Sequence, residues 1–374
     1  MNTDVYERLA QHLDDHPAGF PPTESGVEMR ILRQLFTPEE AELALHLSLI
    51  EEDAHVIARR AKISVEEATR RLEEMEKKGL VFVYHRQGKA PQYQLIGYVV
   101  GIYEFQLNKM TPELVKEFQE YGSTWFDLDV WKKAPQIRTV PVGESIDVNL
   151  DVLTYEKAVE LVCLQDKFAI APCVCHQERH IAGDACDKPA ERCLSFGDAA
   201  DYYVHNEMGR RISQQEVIQI LDQADQAGLV LQPANAKEAS FICVCCGCCG
   251  VLRSLKRHPQ PASVVSSPFH AMLDVEICDG CGTCETRCQM EAIWLDNGNA
   301  ALDLDRCIGC GLCVTTCPTE ALHLERKPQA EQAFIPKDVV DTTIQLGKAR
   351  GKLSNADLVK MMVKSKVDRL LTTH

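Results

Sequence analysis

Cysteine carries the chemistry of this sequence. Of its 374 residues 18 are cysteine, the first being Cys163 and the last Cys317. Eight form two runs of one pattern, Cys278-x2-Cys281-x2-Cys284-x3-Cys288 and Cys307-x2-Cys310-x2-Cys313-x3-Cys317. A thiolate at every third residue, on a loop that curls, lets three ligands reach three irons of a cubic cluster. Gly280, Gly282, Gly309 and Gly311 interleave with the cysteines, so the backbone can come close and aim N–H groups at sulfur. The repeat extends past the thiols: Glu291-Ala292-Ile293 follows the first run as Glu320-Ala321-Leu322 follows the second. Zinc is the competing reading, but three x2-spaced cysteines and a fourth at x3, doubled, are not a usual zinc pattern.

On these residues, 269–327 resembles a bacterial-type ferredoxin domain, which holds two [4Fe–4S] clusters and in which the fourth cysteine crosses to the other cluster. The resemblance implies one cluster on Cys278, Cys281, Cys284 and Cys317 and a second on Cys307, Cys310, Cys313 and Cys288. One position departs from the repeat, Gln289 standing where the second run has Pro318. Nothing in 269–327 supplies an acid–base pair, and no Gly-rich phosphate loop opens a helix elsewhere. The expected role is single-electron transfer.

Nine more cysteines precede the runs: Cys173, Cys175, Cys186 and Cys193, then Cys243, Cys245, Cys246, Cys248 and Cys249. Adjacent cysteines point different ways, so this many cannot all enter one core, and Gly247 and Gly250 free the chain to wrap a ligand. Three readings stay open. They are one or two additional [4Fe–4S] clusters, zinc or another structural metal on Cys173, Cys175, Cys186 and Cys193, and a thiol–disulfide redox site. The layout is similar to a cysteine-rich segment found beside ferredoxin modules in anaerobic redox proteins. Between the two groups, a helix over 214–227 capped by Ser213 and closed by Gly228, then a strand over 229–231, would fold back and join them. His176 and His180 are expected to face solvent or stand outside the ligand set, and Arg179, Arg210 and Arg211 to offset cluster charge. Cys163 reads as a buried core thiol in a helix over 155–169, among Val159, Val162 and Leu164.

The front of the chain must position or present this machinery. Thr37-Pro38-Glu39-Glu40 starts a helix that runs on through Leu43, Leu47 and Ile50. A short helix follows over 54–61. Ser64, in a capping box with Glu67, starts a longer one with a stripe of Val65, Ala68, Leu72 and Met75, ended by Gly79. Residues 80–84 and 93–95 read as a hairpin around the basic turn 86–89. This order resembles a winged helix-turn-helix domain over 35–98, a fold that commonly reads DNA. Here the reading helix opens on Glu66 and Glu67, which favours docking or dimerisation over DNA. Thr111 and Pro112 start another helix, 138–142 looks extended, and the tail 353–371 forms an amphipathic helix with Leu358, Met361, Met362, Val367, Leu370 and Leu371 on one side. That stripe is expected to pack on the protein itself, with contact to a membrane surface as the alternative.

The fold expected is therefore α+β and multidomain. It comprises an acidic helical segment (1–34), the winged-helix-like domain (35–98), a mixed α/β cysteine-rich domain (99–268), the two-cluster ferredoxin domain (269–327) and a linker with helical tail (328–374). A net charge of −15 argues against bulk nucleic-acid affinity. Residues 1–8 hold neither a basic start nor an apolar run, so no secretory signal is expected, and cysteines in a reducing cytoplasm point to metal rather than disulfides. The function this suggests is an iron–sulfur electron carrier, a subunit or accessory partner of an anaerobic oxidoreductase. The alternatives are a redox-sensing regulator that binds DNA and an oxidoreductase with catalysis at the middle cysteines.

Overall fold

The computed structural model describes residues 4–125, 127–146 and 152–372. It is a mixed α/β protein with small antiparallel sheets, and no helix in it is long and apolar enough to cross a membrane. The chain forms two compact units that interleave along the sequence.

One unit, residues 1–127, 201–208 and 343–374, holds no cysteine. Thr37 caps Pro38–Ala44 in a full capping box with Glu40. That helix stops at Ala44, short of the expected Leu47 and Ile50, because 45–50 turns toward the next element. Ala54–Ala61 and Val65–Lys78 follow, then the antiparallel hairpin Phe82–Tyr84 with Gln92–Gln94. Ala68, Leu72 and Met75 are buried as the stripe requires, while Val65 is half-exposed. Ser64 accepts from the Glu67 N–H, but Glu67 reaches Arg70 and Arg71 instead of closing the box. Gly79 ends the helix at φ 75°, where a side chain would strike the Phe105 carbonyl.

The tail helix, Asn355–Thr372, reverses its expected packing. Its buried positions are Ser365 and Asp368, whereas Met362, Val367, Leu370 and Leu371 are exposed. Asp368 decides the face: it accepts from Arg59 and Arg60, each at 2.6 Å, and Arg60 also pairs with the buried Glu52 at 2.5 Å. A fully partnered ionic network can be buried where a single charge cannot, and here it displaces the apolar stripe from the contact.

The other unit, residues 128–200 and 209–342, contains every cysteine. Its largest sheet has five antiparallel strands in the order Arg210–Ile212, Phe168–Pro172, Glu191–Phe196, Phe241–Cys245, Val230–Pro233. Phe168–Pro172 lies inside the sheet and is buried along nearly its whole length. A short, continuously apolar run does not distinguish strand from helix, which is why 155–169 reads as helical. The structure divides it into the helix Ala158–Cys163 and this strand. The helix exposes Cys163 and Leu164, so Cys163 is not a core thiol. Ser213 caps Gln214–Gln226, with Gly228 in the left-handed region just beyond it.

Residues 269–327 add two two-stranded antiparallel sheets, Phe269–Leu273 with Leu322–Arg326 and Ile293–Asp296 with Asn299–Leu302. The repeat seen in the residues is present in the backbone. Gly280 and Gly309 take φ 71° and 66°, Gly282 and Gly311 76° and 77°, and Glu291 and Glu320 54° and 56°. Within this unit the extended segment 137–142 runs between the large sheet and the second cysteine run. Val140 bridges to Leu231, Thr139 N–H donates to Ser266, and Val142 N–H donates to the Cys310 carbonyl.

Candidate metal centres

The two cysteine runs surround two small cavities. The first is lined by Cys307, Cys310, Cys313 and Cys288, and the second by Cys278, Cys281, Cys284 and Cys317. Each cavity thus takes three thiols from one run and its fourth from the other. The chain supplies N–H donors to sulfur: Ala271 to Cys307 at 3.3 Å, Ala292 to Cys288 at 3.2 Å and Ala300 to Cys278 at 3.4 Å. Gly280 and Gly309 each pass so close to a facing carbonyl, of Gly298 and Phe269, that a Cβ would collide. Only a backbone without a side chain, in the left-handed region, closes these loops.

Burial weighs on the thiols of both quartets, raising Cys284 in the one that holds Cys317 and three of the four in the other. Burial pushes Cys310 up to about 12, and the neighbouring Cys288 adds to the effect; burial raises Cys307 and Cys313 as well. Burial also acts on Cys317, yet hydrogen bonds from the Thr319 side chain and from backbone N–H groups of Thr319, Ala321 and Leu322 hold it below its ordinary value. Crowded, buried thiols of this kind ionise only against compensating positive charge, which suits a metal core and not free thiolates. Donor set, N–H cradle and glycine clearances therefore all fit an iron–sulfur cluster in each cavity.

The nine remaining thiols come together from both sequence groups. Cys193 and Cys243 are direct register partners in adjacent strands, so their side chains share a sheet face, with Cys245 two residues on. The Cys173 thiol is in hydrogen-bond contact with those of Cys175 and Cys249. Beyond the strand end, Cys246 Sγ lies 3.1 Å from Cys249, 3.0 Å from Cys248 and 3.8 Å from Cys186. The sulfurs of Cys186, Cys246, Cys248 and Cys249 all fall within 4.8 Å of one another. His176 Nε2 meets the Cys186 carbonyl at 2.9 Å, a contact outside the ligand set, and His180 is exposed.

Arg192, which nothing in the spacing singles out, stands at the centre of this group. It is 2% exposed, and its guanidinium reaches Cys246 Sγ at 3.3 Å, Cys249 Sγ at 3.4 Å and Cys186 Sγ at 3.9 Å. Of the three arginines expected to offset cluster charge, Arg179 pairs with Asp184, and Arg210 pairs with Glu191 and Glu216. The only local signal for Arg192 is its place beside Cys193 in a strand. Gln289 is the other surprise: its side chain accepts from Gly247 N–H at 2.8 Å, and a Cβ on Gly247 would strike the Gln289 carbonyl. The departure from Pro318 thus ties the residue after Cys288 to the Cys246–Cys249 loop. Arg287 pairs with Asp225 at 2.6 Å and Arg326 with Glu156, further joining residues 269–327 to the rest of their unit.

A family model described as a 4Fe-4S binding domain matches residues 300–323, which include the whole second run. No curated protein and no solved structure matches the chain. The chain carries an iron–sulfur binding domain at its second cysteine run, within a mixed α/β protein.

Proposed function

We propose that this protein is an iron–sulfur electron carrier with two [4Fe–4S] clusters, one on Cys278, Cys281, Cys284 and Cys317 and the other on Cys307, Cys310, Cys313 and Cys288. The observation that carries the reading is the exchange of the fourth cysteine between the two cavities. Bound there, each cluster would supply a one-electron redox centre. The chain's own work is to hold the thiols in crossed quartets, donate N–H groups to their sulfurs and keep the second quartet from water. Exchange of ligands also makes the two sites one rigid body, since neither loop can move without its neighbour.

The first quartet is the nearer to solvent, with Cys281 exposed and Cys284 buried beneath it. Around it Val275, Ile277, Trp294 and Leu295 are exposed, with Glu276, Asp279, Glu285 and Asp296 also at the surface. An apolar patch with an acidic rim fits a redox partner protein whose docking face is basic. The carrier would serve a larger oxidoreductase in the cytoplasm, with the cysteine-free unit as the docking module. In that unit Arg70 and Arg71 of Val65–Lys78 are neutralised by Glu67 and Glu74, which leaves little charge for DNA.

Anaerobic electron paramagnetic resonance on Cys288→Ser and Cys317→Ser tests the reading. Each variant should lose about half the iron and one of two reduced-cluster signals, with Cys317→Ser removing the cluster of the first run. Full iron and both signals in both variants would contradict it.

A further inference from the structure

The convergence of Cys186, Cys246, Cys248 and Cys249 is of a different kind from the ferredoxin-like quartets. A cube presents a separate iron to each thiolate, so its four sulfurs must stand apart. Among the described residues, no three of the eight ferredoxin-like thiols come within 4.8 Å of one another, whereas these four all do. Four thiolates on one tetrahedral ion, with metal–sulfur bonds of about 2.3 Å, stand roughly 3.8 Å apart. The 3.8 Å from Cys246 to Cys186 matches that spacing, while Cys248 and Cys249, at 3.0 and 3.1 Å from Cys246, sit closer and would spread slightly around a single ion, with no room for a bridging sulfide.

Arg192 gives an independent reason to expect thiolates, the metal-binding form of cysteine, at this point. A buried guanidinium keeps its charge and needs anionic partners. Those facing Arg192 are sulfurs, of Cys246, Cys249 and Cys186 within hydrogen-bond reach and of Cys173 nearby, with no carboxylate among its hydrogen-bond partners and its Nε unpaired. A divalent ion with four thiolates carries a net double negative charge, which the arginine partly neutralises. Four neutral thiols would leave that cation buried and uncompensated.

We infer that Cys186, Cys246, Cys248 and Cys249 form a tetrathiolate site for one thiophilic divalent ion of the zinc class, with Arg192 as its buried counter-charge. Sulfur-only tetrahedral ligation selects zinc over harder cations, and all four positions are filled by protein, the pattern of a structural site. The ion clips the loop bearing Cys186 to the turn between the strand Phe241–Cys245 and the helix Gly250–Lys256. Gly247, in the middle of that turn, is the residue held by Gln289. The ion therefore fixes the surface on which the residue after Cys288 rests.

The test is zinc, iron and acid-labile sulfide per chain in anaerobically purified full-length protein and its Cys246→Ser, Cys186→Ser and Cys248→Ser variants. Cys248 is exposed, so its substitution spares the core even if the other two misfold. Wild type should hold about one zinc, and Cys248→Ser should retain less than roughly a tenth of it, with iron and sulfide unchanged. Cobalt in place of zinc should give the visible bands of a tetrahedral thiolate site, absent in Cys248→Ser. Zinc retained in every variant would overturn the proposal, as would about four extra irons and sulfides lost from Cys248→Ser. Failure of the ferredoxin reading shows separately, as fewer than about eight irons in wild type beside normal zinc.

Discussion

Two sulfur-rich regions of one unit solve different problems with the same side chain. In the doubled cysteine run of 278–317 the thiols stand around cavities and receive backbone N–H groups. In the middle region four thiols converge on a point and receive an arginine. Spacing along the chain produces the first arrangement, because a ligand every third residue on a glycine-punctuated loop curls around whatever it binds. The second arises from tertiary placement, with Cys186 brought to Cys246–Cys249 across a sheet. What the sulfurs surround, and which donors answer their charge, distinguishes the two better than the number of cysteines does.

The largest effect should come from the crossed ligands. Cys317→Ser should remove about four irons and leave zinc untouched, as read by metal analysis; simultaneous loss of zinc would dissolve the distinction between the regions. Next in size is Arg192→Leu, which should weaken zinc retention against a chelator about 10- to 100-fold, with partial recovery in Arg192→Lys. An unchanged affinity would mean the arginine is only a packing group. Gly247→Ala forces a Cβ against the Gln289 carbonyl and should lower stability by about 1–3 kcal/mol in denaturant unfolding of the metal-loaded protein. A neutral result would show that the two regions are not coupled through this contact.

The smallest effect lies outside the sulfur chemistry and serves as its control. Burial pulls His16, in the cysteine-free unit, down to about 3 from 6.5, so it folds neutral. The unfolded chain takes up this proton first as pH falls, so its contribution to stability is complete above about pH 6.5 and is lost toward pH 3. His16→Gln should flatten the pH dependence of stability in that window, followed by circular dichroism, whether or not chelator is present. A slope unchanged by the substitution would place the acid sensitivity elsewhere.

What could be read from the residues follows the same division. Helix caps at Thr37, Ser64 and Ser213, and the αL stop at Gly79, depend on neighbours in sequence and were legible there. So was the repeat at Gly280 and Gly309, which the backbone angles then follow. Arg192 was not, because its meaning comes from strand pairing that sets it against thiols more than fifty residues away. Gln289 stood out only as a missing proline until its partner Gly247 was in view. The tail helix misled for a related reason: its hydrophobic stripe is real, but an aspartate–arginine network chose the buried face. Cys163 misled because Val162 and Leu161 are buried beside it while the thiol itself faces outward.

The contrast between open and convergent quartets meets its most direct test in the metal content of the wild-type protein, purified without oxygen. The account predicts about eight irons, about eight acid-labile sulfides and about one zinc per chain. About twelve or sixteen irons with matching sulfide and no zinc would contradict it, by placing cubes in the middle region as well.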